Sequence, residues 1–185
     1  LFELKGKTLA VVGLGNIGPK VADIAKAFGL KVVGVNRSGT TDAPVDAIYP
    51  ADQINFALGQ ADIVVNILPL TDQTRGLYNA ECFQAFKDQS VFINVGRGSS
   101  VVTEDLVAAL NEGKIAFCGL DVFEEEPLPE ASPLWEMDNV LITPHIAGEM
   151  ADYNAHLFPI IEANLAAYID QEDVALNKID YQKEY

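Results

Sequence analysis

Six consecutive residues, Gly13-Leu14-Gly15-Asn16-Ile17-Gly18, form the pattern G-x-G-x-x-G. On its own this pattern is common. Here a strand-like run over 9–12 leads into it, and residues at helical spacing follow it. Glycine at 13 permits a tight turn, glycine at 15 lets the main chain approach a pyrophosphate, and glycine at 18 lets helix and strand pack closely. A helix starting here turns its free N–H groups, including those around Asn16 and Ile17, toward an anion. The implied ligand is a dinucleotide, and the competing reading is a glycine-rich loop without one.

The end of the next strand reads the cofactor's ribose. Sites for NAD carry Asp or Glu there, bonded to the 2′-hydroxyl. This chain has Asn36-Arg37-Ser38-Gly39-Thr40. Asn36 takes the acidic position without a charge, Arg37 can pair with a 2′-phosphate, and Ser38 can donate a hydrogen bond. NADP(H) is therefore favoured over NAD(H). The alternative is a solvated Arg37 with Asn36 serving NAD.

Three later segments each follow a strand-like run: Asn94-Val95-Gly96-Arg97-Gly98, Asp121 to Pro127, and Thr143-Pro144-His145-Ile146-Ala147-Gly148. Leu68-Pro69 closes another such run and can wall a nicotinamide. In an open parallel sheet, ligands bind outside the carboxyl ends of the strands, so these residues share the productive edge. An imidazole titrates near working pH and can protonate a carbonyl oxygen as hydride arrives at its carbon. A neighbouring carboxylate fixes its tautomer and favours the charged form. An arginine fork can hold a substrate carboxylate and polarise the carbonyl. Each of Arg97, His145 and a loop glutamate also has a plain structural reading, but all three beside a dinucleotide turn favour the chemical one.

Together these motifs resemble the D-2-hydroxyacid dehydrogenase family over nearly the whole chain. That family carries an arginine in N-x-x-R-G, a glutamate in D-V-x-x-x-E-P and a histidine in T-P-H, matching Arg97, Glu126 and His145. Glu126 is selected because it precedes Pro127, leaving Glu124 and Glu125 as solvated loop charges. The resemblance implies 2-keto acid reduction with His145 as general acid/base, Glu126 as its partner and Arg97 as anchor. It also implies that Asp121 lies near the nicotinamide carboxamide, and a cofactor site completed by Thr74, Val95, Gly96 and Gly148. It implies a homodimer formed through this domain, and a substrate domain, mostly N-terminal, that is expected to be absent from this chain. Glu149 and Met150 depart from the small or hydroxylated residue usual after T-P-H-I-A-G. Corepressors resembling these dehydrogenases use the same fold, so a dinucleotide-sensing regulatory protein is the alternative reading. Glyoxylate, hydroxypyruvate, pyruvate, longer 2-keto acids and 3-phosphoglycerate types all remain open as substrates.

The elements that must position these residues are legible in the hydrophobic pattern. Short apolar runs rich in Val and Ile at 8–12, 31–35, 62–67, 90–95, 115–120 and 140–142 predict strands buried on both faces. Helical spacing lies between them, with Ile17, Val21, Ile24, Ala25 and Phe28 on one expected face and Gly29 as its stop. This alternation predicts an α/β fold, a Rossmann-type doubly wound parallel sheet in three layers (α/β/α). The stretch 149–169 reads as one long helix adjusted at Pro159, and His156 on it is assigned no role. The expected organisation is a dinucleotide-binding domain over 1–170 and a polar tail over 171–185.

Composition limits the remaining classes. The chain has 185 residues and a formal charge of −15, so nucleic acid is not an expected partner. Apolar runs are too short to span a bilayer, and no basic start followed by an apolar core marks a signal peptide. Cys82 and Cys118 share no metal or redox spacing, and no ligand cluster for a metal is evident. A cytoplasmic protein is expected. The chain begins at Leu1 rather than Met, so a trimmed piece of a longer protein is also expected.

Overall fold

The computed structural model describes residues 3–170 and 172–179. The chain divides into two compact units, Leu1–His145 and Ile146–Tyr185.

The first unit is built on seven parallel strands: β1 (Thr8–Val12), β2 (Lys31–Asn36), β3 (Ala47–Pro50), β4 (Ile63–Asn66), β5 (Ser90–Asn94), β6 (Ile115–Leu120) and β7 (Val140–Ile142). Their spatial order is β3-β2-β1-β4-β5-β6-β7. The order reverses between β1 and β4, which makes their carboxyl ends the switch point of a doubly wound sheet. Six strands match the expected runs. The seventh, β3, was not anticipated. Its four residues are only half buried and it pairs on one side alone, so it lacks the continuous apolar signature of a central strand.

Alternate residues of the central strands feed two cores. Leu9, Val11, Val32, Ile63 and Val65 pack with α1 (Gly18–Ala27) on one face. Ala10, Val12, Val33, Val64, Phe92 and Ile115 face the other way. They meet α2 (Ile54–Leu58), α3 (Ala80–Ala85) and α4 (Thr103–Asn111). Helix α1 corrects the expected stripe. Its buried residues are Gly18, Ala22 and Ala25, whereas Ile17, Ile24 and Phe28 are about 60% exposed. Small side chains are needed because the helix starts hard against the turn. A Cβ at Gly18 would lie 2.3 Å from the Gly13 carbonyl oxygen.

Tyr78, Phe83, Phe86 and Phe92 form an aromatic cluster in the second core. The Tyr78 side chain is fully buried, and its hydroxyl makes no hydrogen bond among the described residues. Cys82 and Cys118 are buried and free; burial pushes the Cys82 thiol up to about 12 and Cys118 higher still, so both stay protonated.

The second unit carries α5 (Tyr153–Ile169), with Pro159 inside it. The helix starts four residues later than the pattern implied. The Asn164 side chain bonds the main chain of Leu176 in both directions, at 2.8 and 3.0 Å, and so folds the following segment back along α5. Residues 171 and 180–185 of the expected tail lie outside the described residues.

Candidate active site

The glycine turn sits at the switch point. Gly13 has φ +106°, where a side chain would be strained, and a Cβ there would come within 3.0–3.2 Å of the main chain at Ile67 and Leu68. A Cβ at Gly15 would meet nothing within 4 Å, so the main chain there is open to a ligand. Helix α1 begins immediately after, with Pro19 in its first turn, and Asn16 and Ile17 are exposed at its start. These features fit a dinucleotide pyrophosphate.

At the end of β2 the Asn36 amide is committed to its own loop. Nδ2 donates to the Thr40 carbonyl at 2.7 Å, and Oδ1 accepts from the Gly39 N–H at 2.7 Å and the Ser38 hydroxyl at 3.3 Å. The asparagine thus shapes the turn, which leaves Arg37 and Ser38 exposed.

Leu68 and Pro69 follow β4, and Thr74 closes their loop. Its hydroxyl donates to the Pro69 carbonyl at 2.7 Å and accepts from the Thr71 N–H at 2.8 Å. The Thr74 hydroxyl therefore braces the wall of the site. Val95 and Gly96 follow β5, and Arg97 comes next, exposed, with Nη1 donating to the Gly96 carbonyl at 2.7 Å.

The acidic loop is held from both sides. A Cβ at Gly98 would lie 1.8 Å from the Phe123 carbonyl oxygen, so only glycine lets the Arg97 segment lie against this loop. Glu124, expected to be solvated, instead accepts from the Thr103 N–H at 2.9 Å at the start of α4. There it faces the positive end of the helix and satisfies a free donor. Asp121, 4% exposed, accepts from the Thr143 hydroxyl at 2.6 Å.

Glu126 and His145 form the centre of this edge. Glu126 Oε1 accepts from the Phe123 N–H at 2.9 Å, and Oε2 lies 2.8 Å from His145 Nδ1. An ionised carboxylate only accepts, so Nδ1 carries a proton and Nε2 is the ring nitrogen left for other chemistry. Partial burial pushes the Glu126 carboxyl up. The hydrogen bonds from His145 and Phe123 outweigh this, and the group sits below its ordinary value. His145 has φ +57°, a left-handed conformation that costs a non-glycine residue roughly 1–3 kcal/mol.

The structure thus pairs Glu126 with His145 and packs the Arg97–Gly98 segment on the acidic loop that carries Glu126. Gly148 and His156 belong to the second unit. Sequence reasoning missed Glu124, whose only signal is its place two residues before Glu126. It gave no role to Asn66, Ser100 or Asn94, although Asn94 opens the N-x-x-R-G motif; all three are fully buried beneath the site. Among the described residues there is no cluster of three or more metal-type ligands, and no helix long and apolar enough to cross a membrane.

A model of the family described as D-isomer specific 2-hydroxyacid dehydrogenase, NAD binding domain, matches residues 1–147. The chain belongs to this family. As a 2-hydroxyacid dehydrogenase NAD-binding domain, it is 39% identical over 166 residues to a glyoxylate reductase of Aeropyrum pernix, covering 90% of this chain and 50% of that protein. It is 44% identical over 162 residues to an uncharacterized protein encoded in the proB 3′ region of Corynebacterium melassecola, covering 82% of this chain and 53% of the other. The dehydrogenase domain therefore spans about half the length of these curated relatives. Among solved structures it resembles a probable 2-hydroxyacid dehydrogenase from Rhizobium etli in complex with NADP, HEPES and tartaric acid (TM-score 0.88, 38% identity). That match covers 100% of this chain and 58% of the other. It also resembles a D-isomer specific 2-hydroxyacid dehydrogenase from Xanthobacter autotrophicus in complex with NADPH and MES (TM-score 0.89, 40% identity, 97% and 73% covered).

Proposed function

We propose that the protein reduces a small 2-keto acid to the D-2-hydroxy acid with NADPH, and that Arg97, Glu126 and His145 are its catalytic set. The 2.8 Å contact between Glu126 and His145 at the carboxyl edge of the sheet carries the reading. Held by the glycine turn with Arg37 and Ser38, NADPH would supply the hydride to C2 of the substrate. As negative charge builds on the carbonyl oxygen, the proton on His145 Nε2 passes to it, and Glu126 holds the imidazole and stabilises its charged form. Arg97 turns from the Gly96 carbonyl to the substrate carboxylate, exchanging a neutral acceptor for a charged one.

The 2′-phosphate of NADP is assigned to Arg37 and Ser38, supported by the turn that Asn36 holds. Relatives named as glyoxylate reductases, and Glyoxylate/hydroxypyruvate reductase A of Citrobacter koseri, support a two- or three-carbon keto acid. A homodimer completes the proposal. Ile24 on α1 and Phe28 just after it are exposed and would give a self-complementary patch its apolar centre. The proposed dinucleotide-binding domain runs over 1–170, and the proposed location is the cytoplasm.

The deciding experiment follows NADPH and NADH oxidation by the intact protein across a panel of 2-keto acids. Turnover with glyoxylate or hydroxypyruvate is expected, with NADPH preferred. Arg37→Ala is expected to weaken NADPH binding roughly 10- to 100-fold and leave NADH unaffected. His145→Ala is expected to lower kcat by about 10²–10⁴. No turnover with any keto acid would overturn the activity, and near-normal turnover by His145→Ala would remove that residue from the mechanism.

A further inference from the structure

Beneath the site lies a closed group of polar side chains that the proposed chemistry does not use. Asn66 ends β4 and Asn94 ends β5, and the two are direct partners across the sheet. With Ser100, in the turn after Arg97, they are 0% exposed. Asn66 Nδ2 donates to Asn94 Oδ1 and to Ser100 Oγ, both at 2.9 Å. Ser100 Oγ donates to the Arg97 carbonyl at 2.6 Å, and Asn94 Nδ2 donates to the same carbonyl at 3.3 Å. Asn66 Oδ1 accepts from the Leu68 N–H at 3.2 Å, and Asn94 Oδ1 accepts from the Gly96 N–H at 3.1 Å. These two main-chain groups can only donate, so they fix which end of each amide is oxygen. Each donor therefore has one sense, and the chain runs from the Asn66 amide through the Ser100 hydroxyl to the Arg97 carbonyl.

We infer that Ser100 and Asn66 are positioning residues for Arg97, setting the direction of its side chain relative to the wall formed by Leu68. The network grips the main chain on both sides of Arg97 Cα, through the Gly96 N–H and the Arg97 carbonyl. The same Asn66 amide holds Leu68. A Cβ at Gly96 would lie 2.7 Å from the Leu68 carbonyl oxygen, so the two strand ends are in direct contact. The β4 end that would line the cofactor and the β5 end that would bind substrate thus move as one piece. Buried and mutually polarised hydrogen bonds are stiff, and a small misplacement of a binding group has a large effect on rate. The inference rests on the reading of Arg97 as the carboxylate anchor.

The test is a double-mutant cycle on the intact protein with Ser100→Ala and Arg97→Ala, read as kcat and KM for the keto acid, with NADPH affinity measured by fluorescence titration. Ser100→Ala alone is expected to lower kcat/KM by about 10- to 100-fold, chiefly by raising KM, at near-unchanged NADPH affinity. In the Arg97→Ala background it is expected to add almost nothing, because its effect passes through that side chain. Ser100→Thr, which keeps the hydroxyl, is expected to recover much of the loss. If Ser100→Ala does not fold, Ser100→Cys, a weaker donor of similar size, enters the same cycle. Equal losses in both backgrounds would overturn positioning and leave the anchor role intact. Normal turnover by Arg97→Ala would overturn the anchor role and positioning with it.

Discussion

Glu126 has two donors, His145 and the Phe123 N–H, and both favour its ionised form. Because its carboxyl sits below the ordinary value, the pair persists as pH falls through the usual glutamate range and is lost only below it. Glu126→Gln exchanges a charged acceptor at His145 Nδ1 for a neutral one, and kcat/KM is expected to fall about 10- to 100-fold in steady-state kinetics. Unchanged turnover would separate Glu126 from the proposed chemistry. At this scale the sequence was most informative. G-x-G-x-x-G, Arg97, Glu126 and His145 are local strings, readable without knowing what packs on them. Asn66 sits inside the apolar run 62–67 and belongs to no motif, because its meaning depends on facing Asn94 across the sheet, 28 residues away. Asn36 showed a similar limit. Its type marked the ribose position, but its commitment to Thr40 and Gly39 needed the turn's conformation.

The elements are pinned at the opposite edge of the sheet by Asp62, just before β4. Its carboxylate accepts from the Thr8 N–H at 2.9 Å and from Lys87 at 2.6 Å, with Lys7 at 3.7 Å. Burial pushes this carboxyl up, but the Lys87 and Thr8 hydrogen bonds outweigh it and hold the group below its ordinary value. The stabilisation is thus complete above the ordinary aspartate range and is lost as pH falls through the depressed value. Asp62→Asn is expected to cost about 1–2 kcal/mol at neutral pH, the exposed lysines limiting the figure. The gap between mutant and parent in urea melts should close on acidification, and a pH-independent gap would contradict this account. Continuous Val- and Ile-rich runs marked the six other strands directly. β3 is half buried and carries no such run, while α2 and α3 have only five and six residues, too few for helical periodicity to rise above chance; all three exist through tertiary packing. The α1 stripe was misread for a related reason: where a helix must come close, glycine and alanine face inward and the larger apolar residues are displaced outward.

For the molecule as a whole, the outward Ile24 and Phe28 are expected to be covered by a second copy. Phe28→Asp should shift a dimer to monomer in sedimentation velocity without changing Tm greatly, since the residue is 62% exposed in the single chain. A wild-type monomer at micromolar concentration would overturn the dimer. The doubly wound class followed from alternation alone, whereas the division at His145 did not, since no glycine- or proline-rich linker marks it.

Tyr78 gives the molecule an optical clock. Its phenol is fully buried with no hydrogen-bond partner among the described residues, and it ionises far above its ordinary value of 10.0, chiefly because burial penalises the charged form. The folded protein therefore loses stability as pH rises past the ordinary tyrosine range, where only the unfolded chain releases this proton. After a jump to alkaline pH, the exposed tyrosines should change their ultraviolet absorbance within the mixing time. Tyr78 should follow slowly, at the rate of global unfolding, and Tyr78→Phe should delete that slow phase alone.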